Sequence, residues 1–209
     1  MPSPLLSRRC EPVWILDPVV RLGRPVWLSP SPPSSATLRL VETWDALRSR
    51  RDVREYSDRP LSEDDLDRIL EAGRRAPSGR NRQPWDFVVV TDREQLVELA
   101  RVWQGARHVA GSAATVAVVL PDADELRAIN YFDAGQAVLS MMIAAADLGI
   151  GSAHAGVTDY ELARRVLGLP EDRLCAHLVA LGHPAGRPLV PLVRPDRRLF
   201  DDVVHRGRW

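Results

Sequence analysis

Apolar and polar positions change their period several times along this chain, and each change marks an element. From Leu38 to Arg48, the residues Leu40, Val41, Trp44 and Leu47 recur at helical spacing and predict a helix that ends in Arg48-Ser49-Arg50-Arg51. Asp52 to Tyr56 is read as extended chain. Ser62 followed by Glu63, Asp64 and Asp65 has the form of a helix start, a hydroxyl cap with acidic residues on the positive end of the helix dipole. Leu66, Ile69 and Leu70 give that helix its buried stripe as far as about Arg75, where Pro77 stops it. Phe87 to Thr91 is strand-like. Asp92 then caps a helix carrying Leu96, Val97, Leu99, Ala100 and Trp103.

Thr115 to Leu120 is a fully apolar strand ended by Pro121. The longest regular element is predicted from about Tyr131 to Leu148. It is rich in small residues and has no charged side chain between Asp133 and Asp147, which marks a central, buried helix with Gly149 as its stop. Gly149 to Gly156 follows. Thr158 to Glu161 has the form of a capping box before a short helix, Leu162 to Leu167, ended by Gly168 and Pro170. Cys175 to Leu181 gives a third strand. Eight of the 17 prolines fall in the first 33 positions, so residues 1–36 are expected to form a disordered or extended tail, and residues 37–209 one domain.

Composition narrows the chemistry. The 209 residues suffice for one domain with a real core, and a formal net charge of zero gives no bulk attraction to nucleic acid or anionic membrane. All 28 basic residues are arginine. The absence of lysine removes Schiff-base, P-loop and Ser-Lys chemistry. The two cysteines, Cys10 and Cys175, support neither a disulfide framework nor a cysteine metal site, and no metal site is expected. No apolar run reaches the roughly 18 residues of a membrane span. A cytoplasmic protein is expected.

Candidate chemistry concentrates in two stretches. The first is Arg50-Arg51-Asp52-Val53-Arg54, and the second is Ala76-Pro77-Ser78-Gly79-Arg80-Asn81-Arg82-Gln83-Pro84-Trp85. Prolines fix φ and glycine permits φ > 0, so the second stretch should be a loop of one defined shape. Ser78, Asn81 and Gln83 present a hydroxyl and two amides, and an amide both donates and accepts, as the edge of a flavin or nucleobase ring requires. Pro84 and Trp85 are read as packing. Guanidinium groups suit a phosphate, which they bind by charge-assisted and bidentate contacts.

Together, Arg-Arg-x-x-Arg and Ala-Pro-Ser-x-x-Asn-x-Gln-Pro-Trp in this order resemble the nitroreductase family of FMN-dependent oxidoreductases. The similarity runs from about Thr43 to Trp209. The resemblance implies an α+β, three-layer fold, with a mixed and mainly antiparallel sheet flanked by helices, in a domain-swapped homodimer that binds flavin at the subunit interface. It implies FMN as cofactor and NADH or NADPH as reductant. Hydride passes through flavin N5, ping-pong, to a small electrophilic acceptor such as a nitroaromatic or quinone. The chemistry then belongs to the cofactor, and no catalytic side chain is expected.

By motif match the resemblance assigns FMN contacts to Arg50, Arg51, Asp52, Arg54, Pro77, Ser78, Asn81, Gln83, Gly151, Ser152, Arg197 and Arg198, and it implies that Gly151 to Gly156 is a second flavin-facing loop. Asp52 departs from the serine of many relatives. A carboxylate there repels a phosphate unless it pairs with Arg51 or Arg54, or accepts from ribityl hydroxyls. The same run occurs in relatives that fragment reduced FMN to dimethylbenzimidazole, which is one alternative. A non-catalytic flavin-sequestering protein is another. His154 is a further candidate for a substrate-pocket group.

Overall fold

The computed structural model describes residues 43–123 and 125–209. The proline-rich tail and the start of the first predicted helix, with Leu40 and Val41, lie outside them. The elements are α1 (Thr43–Ser49), α2 (Glu63–Arg74), β1 (Asp86–Val90), α3 (Arg93–Leu99), β2 (Ala114–Pro121), α4 (Arg127–Asp147), β3 (Gly151–Gly156), α5 (Tyr160–Leu167) and β4 (Arg173–Gly182). Single-turn or short 3-10 segments lie at Gly79–Asn81, Gln104–Gly111 and Phe200–Asp202.

Among the described residues, four strands form one sheet in the order β1-β2-β4-β3, and each ladder there is antiparallel. The expected mixed character rests on one isolated parallel bridge, Asp52 to Ser152. Alternate side chains of the sheet feed two cores. On one face Ile69 of α2 and Ala137 and Met141 of α4 pack on Val116, Val118, Val179 and Leu181. On the other, Leu96 and Leu99 of α3, Val109 and Ala163 of α5 pack on Ala117, Leu178 and Ala180. Strand β2 is buried on both faces, which is why it reads as a continuous apolar run instead of alternating. Trp85 is buried in the first core and stacks with Phe87 at 6.5 Å, the packing role expected for it. Cys175 is buried, and burial pushes its thiol up to about 12.

The start of α2 follows the sequence reading: the Ser62 hydroxyl accepts from the Asp65 amide at 3.1 Å. Ser62→Ala is expected to lower stability by about 0.5–2 kcal/mol, measured as a shift in the urea midpoint at unchanged slope. The start of α5 does not follow the expected capping box. Asp159 is the cap and accepts from Leu162 N at 2.8 Å, while the Thr158 hydroxyl donates to the Val102 carbonyl at 2.9 Å. The acceptor that Thr158 meets is 56 residues away in sequence, so a local pattern could not reveal it.

Two other expectations change. Gly149 does end α4, at φ 71°, but residues 151–156 form β3 and not a loop. Its small residues pair with β4 along their whole length, and tertiary pairing overrides weak strand propensity. Second, α4 is not buried all round. Ala134, Ala137, Met141 and Ala145 are buried, yet Ile129, Phe132 and Leu139 are exposed on one stripe. Trp44 and Leu47, whose helical spacing marked α1, are also exposed, and the buried residues of that helix are Ala46 and Ser49. Among the described residues, no helix is long and apolar enough to cross a membrane.

Candidate functional site

Arg50, Asp52 and Arg54 stand on a segment that lies against the edge of the sheet. The Val53 amide donates to the Ser152 carbonyl at 2.9 Å, Ser57 N to His183 O at 2.9 Å, and Ala185 N to Glu55 O at 3.1 Å. Two glycines make this approach feasible. Gly151 of β3 faces Gly182 of β4 in register. A β-carbon on Gly151 would lie 2.8 Å from the Val53 side chain, and one on Gly182 2.7 Å from the Tyr56 ring. The Tyr56 hydroxyl reaches the Ala180 carbonyl at 3.4 Å, and burial, reinforced by Asp52, raises its pKa.

Alternation along the extended segment sorts its side chains. The Asp52 carboxylate accepts from Arg50 at 3.3 Å and from Arg54 at 3.2 Å. The expected alternatives were Arg51 or Arg54, and the structure supplies Arg54 with Arg50 instead. Arg51 points elsewhere: its guanidinium donates to the carbonyls of Arg187 at 2.7 Å and Pro188 at 3.4 Å. Desolvation, then the charge of Arg187, lowers the Arg51 pKa. Arg51 therefore pins the C-terminal segment, while Arg50 and Arg54 stay together around one carboxylate, a cluster with one net positive charge.

Cavities open on either side of His154. One, of about 290 Å³, is lined by Arg50, His154 and His177 and by Gly135, Val138, Leu139 and Met142 of α4. The other, of about 400 Å³, is lined by Asp52, Arg54, Trp103, Gly105, His154 and Gly156. Gly151 and Ser152 meet the backbone of the arginine segment at Val53. The pair offers an apolar floor, an aromatic ring and fixed cationic donors.

The bend at 77–83 is anchored from α4. Gly79 N donates to the buried carboxylate of Asp133 at 3.0 Å, and the Ser78 hydroxyl accepts from Gln83 N at 2.9 Å. Gln83 Nε2 donates to the Asn81 carbonyl at 3.3 Å. The glycine was expected to supply the positive φ. Arg80 (55°), Asn81 (55°) and Gln83 (50°) adopt it instead. Left-handed backbone at three side-chain-bearing residues costs energy and persists where surrounding contacts hold it. Pro77 and Asn81 are exposed beside this bend.

The predicted residues thus fall into three groups within one chain. Arg50, Asp52 and Arg54 line the cavities, while Gly151 and Ser152 are buried behind the segment that carries them. Pro77, Ser78, Asn81 and Gln83 form a second group, joined to the first through α4. Arg197 and Arg198 are exposed, donate to the carbonyls of Asp196 and Asp202, and adjoin neither group. Asp133, Trp103, His177 and Arg187 complete the surroundings and were not singled out in the sequence. Asp133 had one visible signal, its place as the charged boundary of an otherwise apolar helix.

The model of the nitroreductase family matches residues 47–110 and 100–183. An Archaeoglobus fulgidus protein provisionally named NADH dehydrogenase/NAD(P)H nitroreductase is 34% identical over 178 residues, 81% of this chain and 100% of that one. A Thermus thermophilus NADH dehydrogenase is 30% identical over 188 residues, 72% of this chain and 90% of that one. Among solved structures, the NADPH:FMN oxidoreductase of Vibrio harveyi complexed with NAD+ superposes with a TM-score of 0.69 at 26% identity, covering 78% of this chain and 76% of that one.

Proposed function

This chain belongs to the nitroreductase family, and from that premise we propose that it is an FMN-dependent NAD(P)H oxidoreductase that reduces small electrophilic acceptors such as nitroaromatics and quinones. The observation that carries the reading is the Arg50–Asp52–Arg54 cluster, fixed to β3 beside an apolar cavity under α4. The donor set suits FMN. Guanidinium groups meet a phosphate, the apolar floor of Val138 and Met142 accommodates a flat ring system, and the amides of Asn81 and Gln83 match a ring edge that both donates and accepts.

In this reading Arg50 and Arg54 hold the phosphate and ribityl end. Asp52 sets the spacing of the two guanidiniums and accepts from ribityl hydroxyls. The bend from Pro77 to Gln83 holds the ring edge. Arg51 orders the segment that begins at Arg187, and Arg197 and Arg198 reach the cofactor of a second subunit. When bound, FMN supplies hydride acceptance from NADH or NADPH and hydride release to the acceptor.

A homodimer belongs to the same proposal. Phe132 is 70% exposed, Trp44 67% and Phe200 64%, and Leu139 and Ile129 share the α4 stripe. Apolar groups of this size are uncovered in one chain and are suited to burial against another. Such an interface brings the bend and the arginine cluster of different subunits into one hollow.

The test is the visible absorption of the purified protein, before and after anaerobic NADPH. The expected result is a flavin spectrum that NADPH bleaches and a quinone restores. A protein that stays colourless after incubation with FMN sinks the proposal. Oxygen-dependent loss of the flavin, with a benzimidazole product, transfers the assignment to the fragmenting enzymes that share the Arg-Arg-Asp-Val-Arg run. Bound FMN that NADPH cannot reduce marks a sequestering protein.

A further inference from the structure

Two imidazoles from distant positions share one face of the sheet. In the β3–β4 register His154 lies opposite Val179, and Gly156 opposite His177, so the histidines are diagonal neighbours. Simple alternation would not place His177 there. On β4, Leu174 and Ala176 face the α2–α4 core and Cys175 faces the other. Beyond them the phase is reversed, with Val179 and Leu181 on the α4 side. The change occurs at Ala176, where the register with β2 passes from Val118–His177 to Val119–Cys175. This β-bulge re-aims His177 into the α4 cavity beside His154.

The two rings have different surroundings. His177 is packed edge-on against Tyr131 at 5.8 Å and against His154 at 6.4 Å, and its Nδ1 is buried with no hydrogen-bond partner among the described residues. Desolvation, then the charge of His154, lowers its pKa. His154 is exposed while Ala153 and Ala155 beside it are buried, and it lines both cavities. The groups that face it are Arg50, Asp52 and Arg54 from the extended segment and His177 from β4. Helix α4 presents the apolar Val138, Leu139 and Met142, and the 103–105 turn presents Trp103 and Gly105. Guanidinium does not give up its proton in proteins, and Asp52 is occupied by two of them. An imidazole is the group in this set suited to proton exchange near neutral pH.

We propose that His154 is a catalytic residue of the acceptor half-reaction, the proton donor to a quinone-class or other oxygen-bearing electrophile bound between the two cavities. This rests on the reading of the cavity as an FMN-dependent reductase site. Quinone plus hydride plus proton gives hydroquinone. The hydride brings both electrons from the reduced cofactor. The proton comes from the His154 imidazolium: its N–H bond breaks, its electron pair stays on the ring nitrogen, and an O–H bond forms on the acceptor. The exposed imidazole regains a proton from water. A neutral His177 beside it avoids repelling the imidazolium.

The experiment uses the FMN-loaded enzyme in a stopped-flow instrument, with the two half-reactions measured separately and benzoquinone as acceptor. His154→Gln is expected to keep its flavin spectrum and its reduction by NADPH, and to lose reoxidation by benzoquinone by about 10²-fold or more. Wild-type reoxidation should slow as pH rises, because the imidazolium is the proton donor. Its midpoint should coincide with the His154 titration seen by NMR on the oxidised holoprotein, and the dependence should vanish in His154→Gln. Reoxidation of the variant at the wild-type rate overturns the proposal. So does wild-type reoxidation that does not vary with pH, a readout that survives if the variant misfolds. A colourless wild-type protein defeats the underlying reading instead.

Discussion

Replacing Gly151 with valine is expected to destabilise the protein by about 1–3 kcal/mol and to weaken FMN binding at least tenfold. The arginine segment rests directly on the Gly151–Gly182 pair. A β-carbon at Gly151 would already stand 2.8 Å from both Cβ and Cγ1 of Val53, and the two methyl groups of valine add to that conflict. Val53 cannot turn away freely, because it is itself buried and its amide is bonded to Ser152 O at 2.9 Å. Relief must come from the backbone between Asp52 and Tyr56, which carries the ion-paired cluster with it. Urea denaturation measures the stability change, and flavin fluorescence titration the affinity. Gly111→Ala is the control: a β-carbon there meets nothing within 4 Å, and its φ is not left-handed. Equal behaviour of the two variants would refute the account of how the segment is seated.

Asp133→Ala is expected to cost about 1–3 kcal/mol and to loosen the bend at 77–83. The Asp133 carboxylate is 2% exposed and accepts from Gly79 N at 3.0 Å and from Gln136 Nε2 at 3.4 Å. Alanine removes the acceptor and leaves the Gly79 N–H without its partner. The left-handed residues Arg80, Asn81 and Gln83 then lose the contact that holds the bend to α4, and can relax toward ordinary φ. Asp133→Asn keeps an oxygen in place and should recover most of the loss. Amide hydrogen exchange at Gly79 is the direct measure: faster in the alanine variant, near wild type in the asparagine one. Unchanged exchange in Asp133→Ala would show that the bend holds itself.

Local signals were reliable where the determinant is local. The Ser62 cap, the Asp92 cap, the stop at Gly149 and the apolar run of β2 all depend on neighbours within a few residues. The motif pair also led to the family, because its spacing needs no tertiary knowledge. Predictions failed where a distant partner decides. Thr158 looked like a cap and is held instead by Val102. Residues 151–156 looked like a loop and are strand because β4 pairs with them. Trp44 and Leu47 marked a helix by their spacing and are exposed in the single chain, since helical spacing identifies an apolar face but not what covers it.

By itself the sequence determined the helical and strand periods, the family, and which residue types surround the candidate cofactor site, since these depend on composition and on short-range spacing. The tertiary structure alone decided which of those residues meet. It separated Arg51 from Arg50 and Arg54, put Asp133 under the bend, and turned His177 to face His154 through a one-residue bulge. The physical reason is that side-chain direction in a strand reverses at every residue, so one extra residue or one long-range hydrogen bond redirects chemistry that no local pattern can locate.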